Sequence, residues 1–102
     1  MNIIEEIGTA AMLEQLAEEC TELGKAALKM ARIMRKNNPT PVTIEQAKEN
    51  LCEESGDVIT CIEMLGNADV LFVDNDARSA KIERWKNRIE KSIRERDWHS
   101  HF

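Results

Sequence analysis

Residues 10–36 read AAMLEQLAEECTELGKAALKMARIMRK, and this stretch decides the fold. Its apolar residues recur at spacings of three and four, which is the periodicity of one face of an α-helix. They are Leu13, Leu16, Cys20, Leu23, Ala27, Met30, Ala31 and Met34. The stretch therefore predicts a long amphipathic helix that packs its apolar face against other elements.

A second helix is predicted after a break in this pattern. Residues 37–41 hold two Asn and two Pro, which end the first helix because Pro lacks a backbone donor and Asn favours turns. Thr43 and Gln46 then have the spacing of a capping box, which predicts a new helix start. The apolar face of this helix holds Ile44, Ala47, Leu51, Val58, Ile62 and Leu65. Gly66 and Asn67 predict its end.

A third helix is predicted from about Ala77 to Asp97, after a connector over residues 68–77. Its inward-facing residues should be Ile82, Trp85, Ile89 and Ile93. Residues 2–7 predict a short leading helix. We therefore expect an all-α fold, a bundle of long antiparallel helices that forms a single domain over residues 1–102.

The composition agrees with a small acidic helical protein. The chain has 14 Lys plus Arg against 19 Asp plus Glu, a net charge of −5, and its apolar content of 42% is too high for a disordered chain. A bundle of this length buries only about two thirds of its unfolded surface, so we expect a homodimer or homotetramer to complete the core. Three cysteines without a CxxC pair predict neither a disulfide framework nor a thiolate zinc site. With no apolar run of membrane-spanning length and no signal peptide, these features predict a cytoplasmic protein.

Each of the first two helices carries a pair of acidic residues at a spacing of three. Glu19 and Glu22 lie on the first helix, and Glu54 and Asp57 lie on the second. Residues three apart share a helix face, and both pairs have the same angular offset from their apolar faces. If those faces pack together, four carboxylates from two helices border one line of contact.

Four carboxylates so close would repel each other unless cations neutralised them. Hard oxygen donors without a nearby His favour Mg²⁺, or Mn²⁺, over zinc and copper. The alternative is a solvated face, because a chain rich in Glu produces single acidic pairs of this spacing by chance. Two pairs at matching offsets, with Gly56 inside the second helix, favour a metal site.

These residues resemble a family. The all-α nucleoside triphosphate pyrophosphohydrolases of the MazG-like group carry EExxE on one helix and ExxD on the next. The matching segments here are Glu18-Glu19-Cys20-Thr21-Glu22 and Glu54-Ser55-Gly56-Asp57. The resemblance covers roughly residues 10–90.

The resemblance implies a metal site and a reaction. Its Mg²⁺ ligands would be Glu19, Glu22, Glu54 and Asp57, and Glu18 would be the remaining acid of the first motif. All five would then be catalytic residues. Such enzymes cleave a nucleoside triphosphate between its α and β phosphates and release a monophosphate and pyrophosphate, because the metal neutralises phosphate charge and activates water.

Charge distribution points to the third helix as the phosphate contact. Residues 1–77 hold 6 basic and 15 acidic side chains, whereas residues 78–102 hold 8 basic and 4 acidic ones. Lys81, Arg84, Arg88 and Lys91 lie in one band beside the apolar face. Lys81 and Arg84 also resemble a Lys-x-x-Arg of the family's last helix, so we expect Lys81, Arg84 and Arg88 to bind substrate. A solvated basic face is the alternative.

Other functions are also compatible with the sequence. The main alternative is a non-catalytic helical interaction module whose acidic and basic faces bind a partner. A di-iron carboxylate bundle is disfavoured because no Glu-x-x-His is present. Phosphoribosyl-ATP pyrophosphohydrolase is a further possibility, although Thr60 and Cys61 stand where an aromatic residue and a His are expected. We expect a nucleoside triphosphate as the ligand, and neither nucleic acid nor a membrane as a partner.

Overall fold

The computed structural model describes residues 1–36 and 41–100, with side chains through Trp98. Every regular element in these ranges is a helix. The four helices are α1 (Ile3–Ile7), α2 (Thr9–Arg35), α3 (Ile44–Asn67) and α4 (Asn75–Ser100). The all-α class and all four predicted helices are therefore confirmed. The predicted turn at residues 37–41 lies outside the described residues except for Pro41.

Both ends of α2 have identifiable backbone causes. Gly8 separates α1 from α2 with φ of 92°, a conformation that residues with a side chain rarely adopt. At the other end Lys36 is left-handed, and its N–H donates to the carbonyls of Arg32 and Ile33. Arg32 and Arg35 in the last turn complement the negative end of the helix dipole.

The predicted capping box at the start of α3 is confirmed. The backbone N–H of Gln46 donates to Thr43 Oγ1 at 3.1 Å, and the Thr43 N–H donates to Gln46 Oε1 at 2.9 Å. These two bonds satisfy donors that the first turn of a helix leaves unpaired. At the far end α3 stops at Asn67 as expected, and Asp69 takes the left-handed conformation.

α2 and α3 pack against each other along their length. Met12 clusters with Cys61 and Leu65 at one end, and Lys29 lines a shallow pocket with Gln46 and Ala47 near the other. Low residue numbers of α2 therefore lie next to high residue numbers of α3, and high numbers lie next to low ones, so the two helices run in opposite directions. Further residues, such as Ala31 and Ile62, are half-buried on these helices, but one set of positions on each helix follows alternating spacings of four and three and is buried or half-buried throughout. On α2 these positions are Met12, Leu16, Glu19, Leu23, Ala26, Met30 and Ile33, and on α3 they are Ala47, Leu51, Glu54, Val58, Cys61 and Leu65.

The apolar face predicted for α2 is half-buried at Leu16, Leu23 and Met30, as expected, and is displaced by one residue elsewhere. Met12 and Ala26 are buried, whereas Leu13 is 43% and Met34 63% exposed. The cause is that α2 carries apolar residues on two adjoining faces. The face that contains Met12 and Ala26 meets α3, and the face that contains Leu13 and Ala27 does not. On α3 the predicted Ala47, Val58 and Leu65 are buried, Ile44 is exposed, and Cys61 is an additional buried residue.

The chain divides into two compact units, residues Met1–Phe72 and Val73–Phe102. The first contains α1, α2 and α3, and the second consists of α4. Within its unit α4 has no second element to pack on, so its predicted inward face is exposed. Ile82, Trp85, Ile89 and Ile93 are between 42% and 58% exposed, which corrects the prediction that they point inward. The prediction of one domain over residues 1–102 stays a prediction.

Across residues 1–36 and 41–100, none of the helices combines the length and the apolar composition that a membrane crossing requires.

Candidate metal centre

Three carboxylates from two helices meet at the middle of the α2–α3 pair. Oxygen atoms of Glu19, Glu54 and Asp57 all lie within 4.8 Å of one another. Glu19 comes from α2, and the other two come from successive turns of α3. This acidic triad joins segments that are more than thirty residues apart in sequence.

The helix register explains why the triad forms. Glu19 and Glu54 occupy two of the regularly spaced positions at which the other residues are mostly apolar and face the opposite helix. Both are consequently half-buried. Asp57 follows Glu54 by three residues, so it lies on the same face one turn further along. Two acidic residues at such positions weaken the helix pairing unless a cation or a proton compensates their charge.

The titration of Glu54 reflects this environment. Burial raises the pKa of the Glu54 carboxyl above its ordinary value, and nearby negative charges raise it further. In order of decreasing effect these charges belong to Asp57, Glu19, Glu22 and Glu53. The site therefore favours binding of a positive species, a proton or a metal ion.

The triad fits a hard divalent cation by donor type and spacing. Carboxylate oxygens are the ligands that Mg²⁺ prefers, and two oxygens on one Mg²⁺ are separated by at most about 4.2 Å. The spacing of up to 4.8 Å is within reach of small rotations of the glutamate side chains. No His belongs to the triad, which disfavours zinc and copper.

The fourth predicted ligand, Glu22, lies apart from the triad. Its Oε1 accepts from Lys25 Nζ at 3.4 Å, and its side chain is 52% exposed. Its charge still contributes to the raised pKa of Glu54, so it belongs to the same acidic region. Glu18 is exposed on α2 and is not part of the triad.

Gln15 hydrogen-bonds to the site, although its position in the sequence favours an ordinary surface amide. Its Nε2 donates to Glu19 Oε1 at 2.7 Å, across one turn of α2. This bond orients the carboxylate and leaves its other oxygen for a ligand. The spacing of four between Gln15 and Glu19 was the available signal, but it does not distinguish this contact from an ordinary surface amide.

The predicted substrate-binding residues lie on α4, in the second unit. Lys81, Arg84 and Arg88 are all exposed. Lys81 and Arg88 line a shallow groove on α4 together with Trp85. Trp85 itself is 58% exposed, so its ring is open to a ligand.

No family model matches the chain, and neither a curated protein nor a solved structure is similar enough to match. The resemblance to the MazG-like group therefore rests on the two acidic motifs and on the Lys-x-x-Arg spacing of Lys81 and Arg84.

Proposed function

We propose that this chain hydrolyses a nucleoside triphosphate, or a modified nucleotide, at its α–β phosphoanhydride with Mg²⁺ and releases a nucleoside monophosphate and pyrophosphate. The observation that supports the proposal is the acidic triad of Glu19, Glu54 and Asp57. Its three oxygens converge from two helices at an interface that is otherwise largely apolar. Mn²⁺ would serve in place of Mg²⁺.

The carboxylates bind and orient the metal in this proposal. Glu19, held by Gln15, together with Glu54 and Asp57 supplies the ligand oxygens, and rotation of Glu22 away from Lys25 adds a fourth. When bound, Mg²⁺ neutralises charge on the phosphates and activates water for attack on phosphorus. A carboxylate at the edge of the site, Glu18 or Glu22, accepts the proton of that water.

In this proposal the basic residues of α4 bind the phosphates of the substrate. Lys81, Arg84 and Arg88 offer ammonium and guanidinium groups, which form charge-assisted hydrogen bonds to phosphate oxygens. The support is the exposure of all three and their position on one face of α4. The proposed enzyme is a cytoplasmic homodimer or homotetramer whose antiparallel helices complete a bundle by assembly.

The decisive experiment incubates the chain with a panel of standard and damaged nucleoside triphosphates, with and without Mg²⁺, and separates the products. We expect monophosphate and pyrophosphate only when Mg²⁺ is present. Diphosphate and phosphate would contradict the cleavage position. Absence of both hydrolysis and saturable Mg²⁺ binding would favour a non-catalytic helical interaction module.

Variants of the triad locate the reaction on the molecule. Glu54→Gln and Asp57→Asn keep the side-chain volume and remove a ligand charge, so each should lower turnover at saturating Mg²⁺ by more than tenfold. Glu63→Gln is the matched control, because Glu63 is an exposed glutamate of α3 outside the triad. Equal activity of Glu54→Gln and Glu63→Gln would exclude the triad as the active site.

A further inference from the structure

The surface of α4 changes character around the helix axis at Trp85. One helix residue corresponds to a rotation of about 100°, so each side chain has an angular position relative to Trp85. An apolar strip lies on one side of Trp85, within about 80° of it, and consists of Ile82, Ile89 and Ile93. Lys81 and Arg88 lie about 40° and 60° away on the other side. Trp85 therefore lies at the border between the apolar strip and a basic edge.

The groove on α4 lies across this border. Its lining residues are Lys81, Trp85, Arg88, Ile89 and Ser92, and its volume is about 480 Å³, which is in the range of small-molecule sites. Lys81 and Ile89 are four residues from Trp85 and Arg88 is three residues from it, so these side chains share one face of the helix. Trp85 and Ile89 are both exposed. One ligand can therefore contact an aromatic ring and two cations in this groove.

The two cations of the groove are available to a ligand. Elsewhere on α4, Lys86 pairs with Glu83 at 3.7 Å. Among the side chains that the structure describes, by contrast, no carboxylate lies within 4.0 Å of the charged nitrogens of Lys81 or Arg88. Ammonium and guanidinium groups bind phosphate oxygens through charge-assisted hydrogen bonds, and an exposed indole ring stacks on other aromatic rings. The groove therefore suits an anion that carries an aromatic group.

The distribution of charge around α4 favours a small anion over an anionic lipid surface. Glu83 and Glu90 lie about 160° and 140° from Trp85, beyond the far edge of the apolar strip. One edge of the strip is therefore basic and the other is acidic. A helix that lies on a membrane presents both edges of its apolar strip to the headgroups, and anionic headgroups would repel the acidic edge. A small anion contacts the basic edge alone.

We propose that Trp85 stacks on the base of a nucleoside triphosphate while Lys81 and Arg88 bind its phosphates. The identity of the ligand rests on the proposed function, whereas the groove belongs to α4 alone. Stacking on an aromatic ring accepts every base, because each base has a π face. Ser92 is the uncharged polar residue among those that line the groove, so few groups there can read the edges of a base. The groove therefore selects nucleotides with little preference among bases.

Isothermal titration calorimetry of the full chain in EDTA buffer measures nucleotide binding without hydrolysis. We expect the dissociation constants of ATP and CTP to agree within about tenfold, and inorganic tripolyphosphate to bind at least about fivefold more weakly than either, because it has no base. Tripolyphosphate carries at least as much negative charge as the nucleotides, so charge alone predicts the opposite order. Absence of ATP binding, a larger difference between ATP and CTP, or equal binding of tripolyphosphate would overturn the proposal.

Substitutions of Trp85 separate stacking from apolar packing. Trp85→Leu keeps an apolar side chain and removes the ring, so it should raise the dissociation constant of ATP at least about fivefold and leave that of tripolyphosphate unchanged. Trp85→Phe keeps a ring and should have a smaller effect. Trp98→Leu is the matched control, because Trp98 is also exposed but lies about 140° from Trp85 around α4. Circular dichroism verifies that the variants keep their helices. Equal effects of Trp85→Leu and Trp98→Leu, or of Trp85→Leu and Trp85→Phe, would overturn the proposal.

Binding in EDTA and hydrolysis with Mg²⁺ distinguish this proposal from the proposed function. ATP binding that depends on Trp85, without hydrolysis of any nucleotide, would exclude the enzymatic activity and support the base contact. Hydrolysis to monophosphate and pyrophosphate with the same KM in Trp85→Leu as in the wild type would support the activity and overturn the base contact.

Tryptophan fluorescence tests the lipid surface as the other occupant. The chain has two tryptophans, so Trp98→Phe leaves Trp85 as the single one. We expect ATP to quench its emission, and vesicles of phosphatidylcholine and phosphatidylserine in equal parts to leave the emission unchanged. A blue shift with the vesicles and no response to ATP would overturn the proposal and indicate a helix that lies on a membrane surface.

Discussion

At the scale of single residues, Glu54 is held where ionisation is unfavourable. Burial and the charges of neighbouring carboxylates, Asp57 foremost, raise its pKa. Between the ordinary glutamate pKa and the raised value, the folded chain therefore binds more protons than the unfolded chain. Because a group of this kind stabilises the fold only while protonated, its contribution to the free energy of unfolding is present at low pH and is lost as the pH rises through this range.

Glu54→Gln should remove this contribution to the pH dependence. In metal-free buffer we expect the variant to be more stable than the wild type at neutral pH, and the difference to shrink toward low pH. Urea denaturation followed by circular dichroism at a series of pH values measures it, with Glu63→Gln as the control. If the stability curves of wild type and Glu54→Gln run parallel across the weakly acidic range, Glu54 does not titrate as described.

The sequence predicts only part of this site. The spacing of three between Glu54 and Asp57, and the place of Glu19 on a face that meets them, could be read from helical periodicity. The ion pair of Glu22 with Lys25 could not be predicted in this way. The partner of an exposed carboxylate on a helix depends on side-chain rotation, and a helical wheel shows only the direction of each residue from the helix axis. The hydrogen bond from Gln15 to Glu19 could not be predicted for the same reason.

At the scale of elements, the start of α3 depends on two reciprocal hydrogen bonds between Thr43 and Gln46. Thr43→Ala removes the hydroxyl that accepts from the Gln46 N–H, and it should lower the free energy of unfolding by about 1 kcal/mol. Thr43→Ser keeps the acceptor and should cost much less. Chemical denaturation of the three proteins decides it, and equal losses for Ala and Ser would show that the hydroxyl bond contributes nothing.

Helix positions follow from the sequence more readily than helix faces do. Pro and Asn in residues 37–41, the capping box at Thr43 and the Gly66-Asn67 end are local signals, and the helix bounds agree with them. The buried face of α2 depends instead on where α3 packs. Because α2 has apolar residues on two adjoining faces, its sequence alone does not determine whether Met12 or Leu13 is buried.

The basic face of α4 makes its own prediction. Lys81→Ala and Arg84→Ala should raise KM for the triphosphate several-fold and leave the melting temperature nearly unchanged, because both side chains are exposed and would contact only substrate. Lys86→Ala is the control, since Lys86 is exposed and pairs with Glu83 at 3.7 Å. An unchanged KM in both variants would favour the solvated basic face.

At the scale of the whole molecule, little apolar surface is buried. The buried apolar residues in the described chain are Met12, Ala26, Ala47, Val58, Cys61 and Leu65, all on α2 and α3. If assembly supplies the remaining core, folding and association are linked by mass action. We expect the melting temperature to fall as the protein is diluted. Calorimetry at two concentrations measures the shift, and a melting temperature independent of concentration would exclude this linkage.

Buried volume is also unevenly distributed along the α2–α3 pair. At the α1 end Leu65 has no exposed area and packs with Met12 and Cys61, whereas Ala26 and Ala47 occupy the buried positions toward the loop end. Small side chains make fewer dispersion contacts, so transient opening should begin at the loop end while the α1 end remains closed. Amide hydrogens around Ala26 and Ala47 should accordingly exchange with deuterium faster than those around Met12 and Leu65. The triad lies between these two regions, so its carboxylates separate when the α2–α3 pair opens transiently. A bound cation would therefore slow amide exchange most on the side of Ala26 and Ala47.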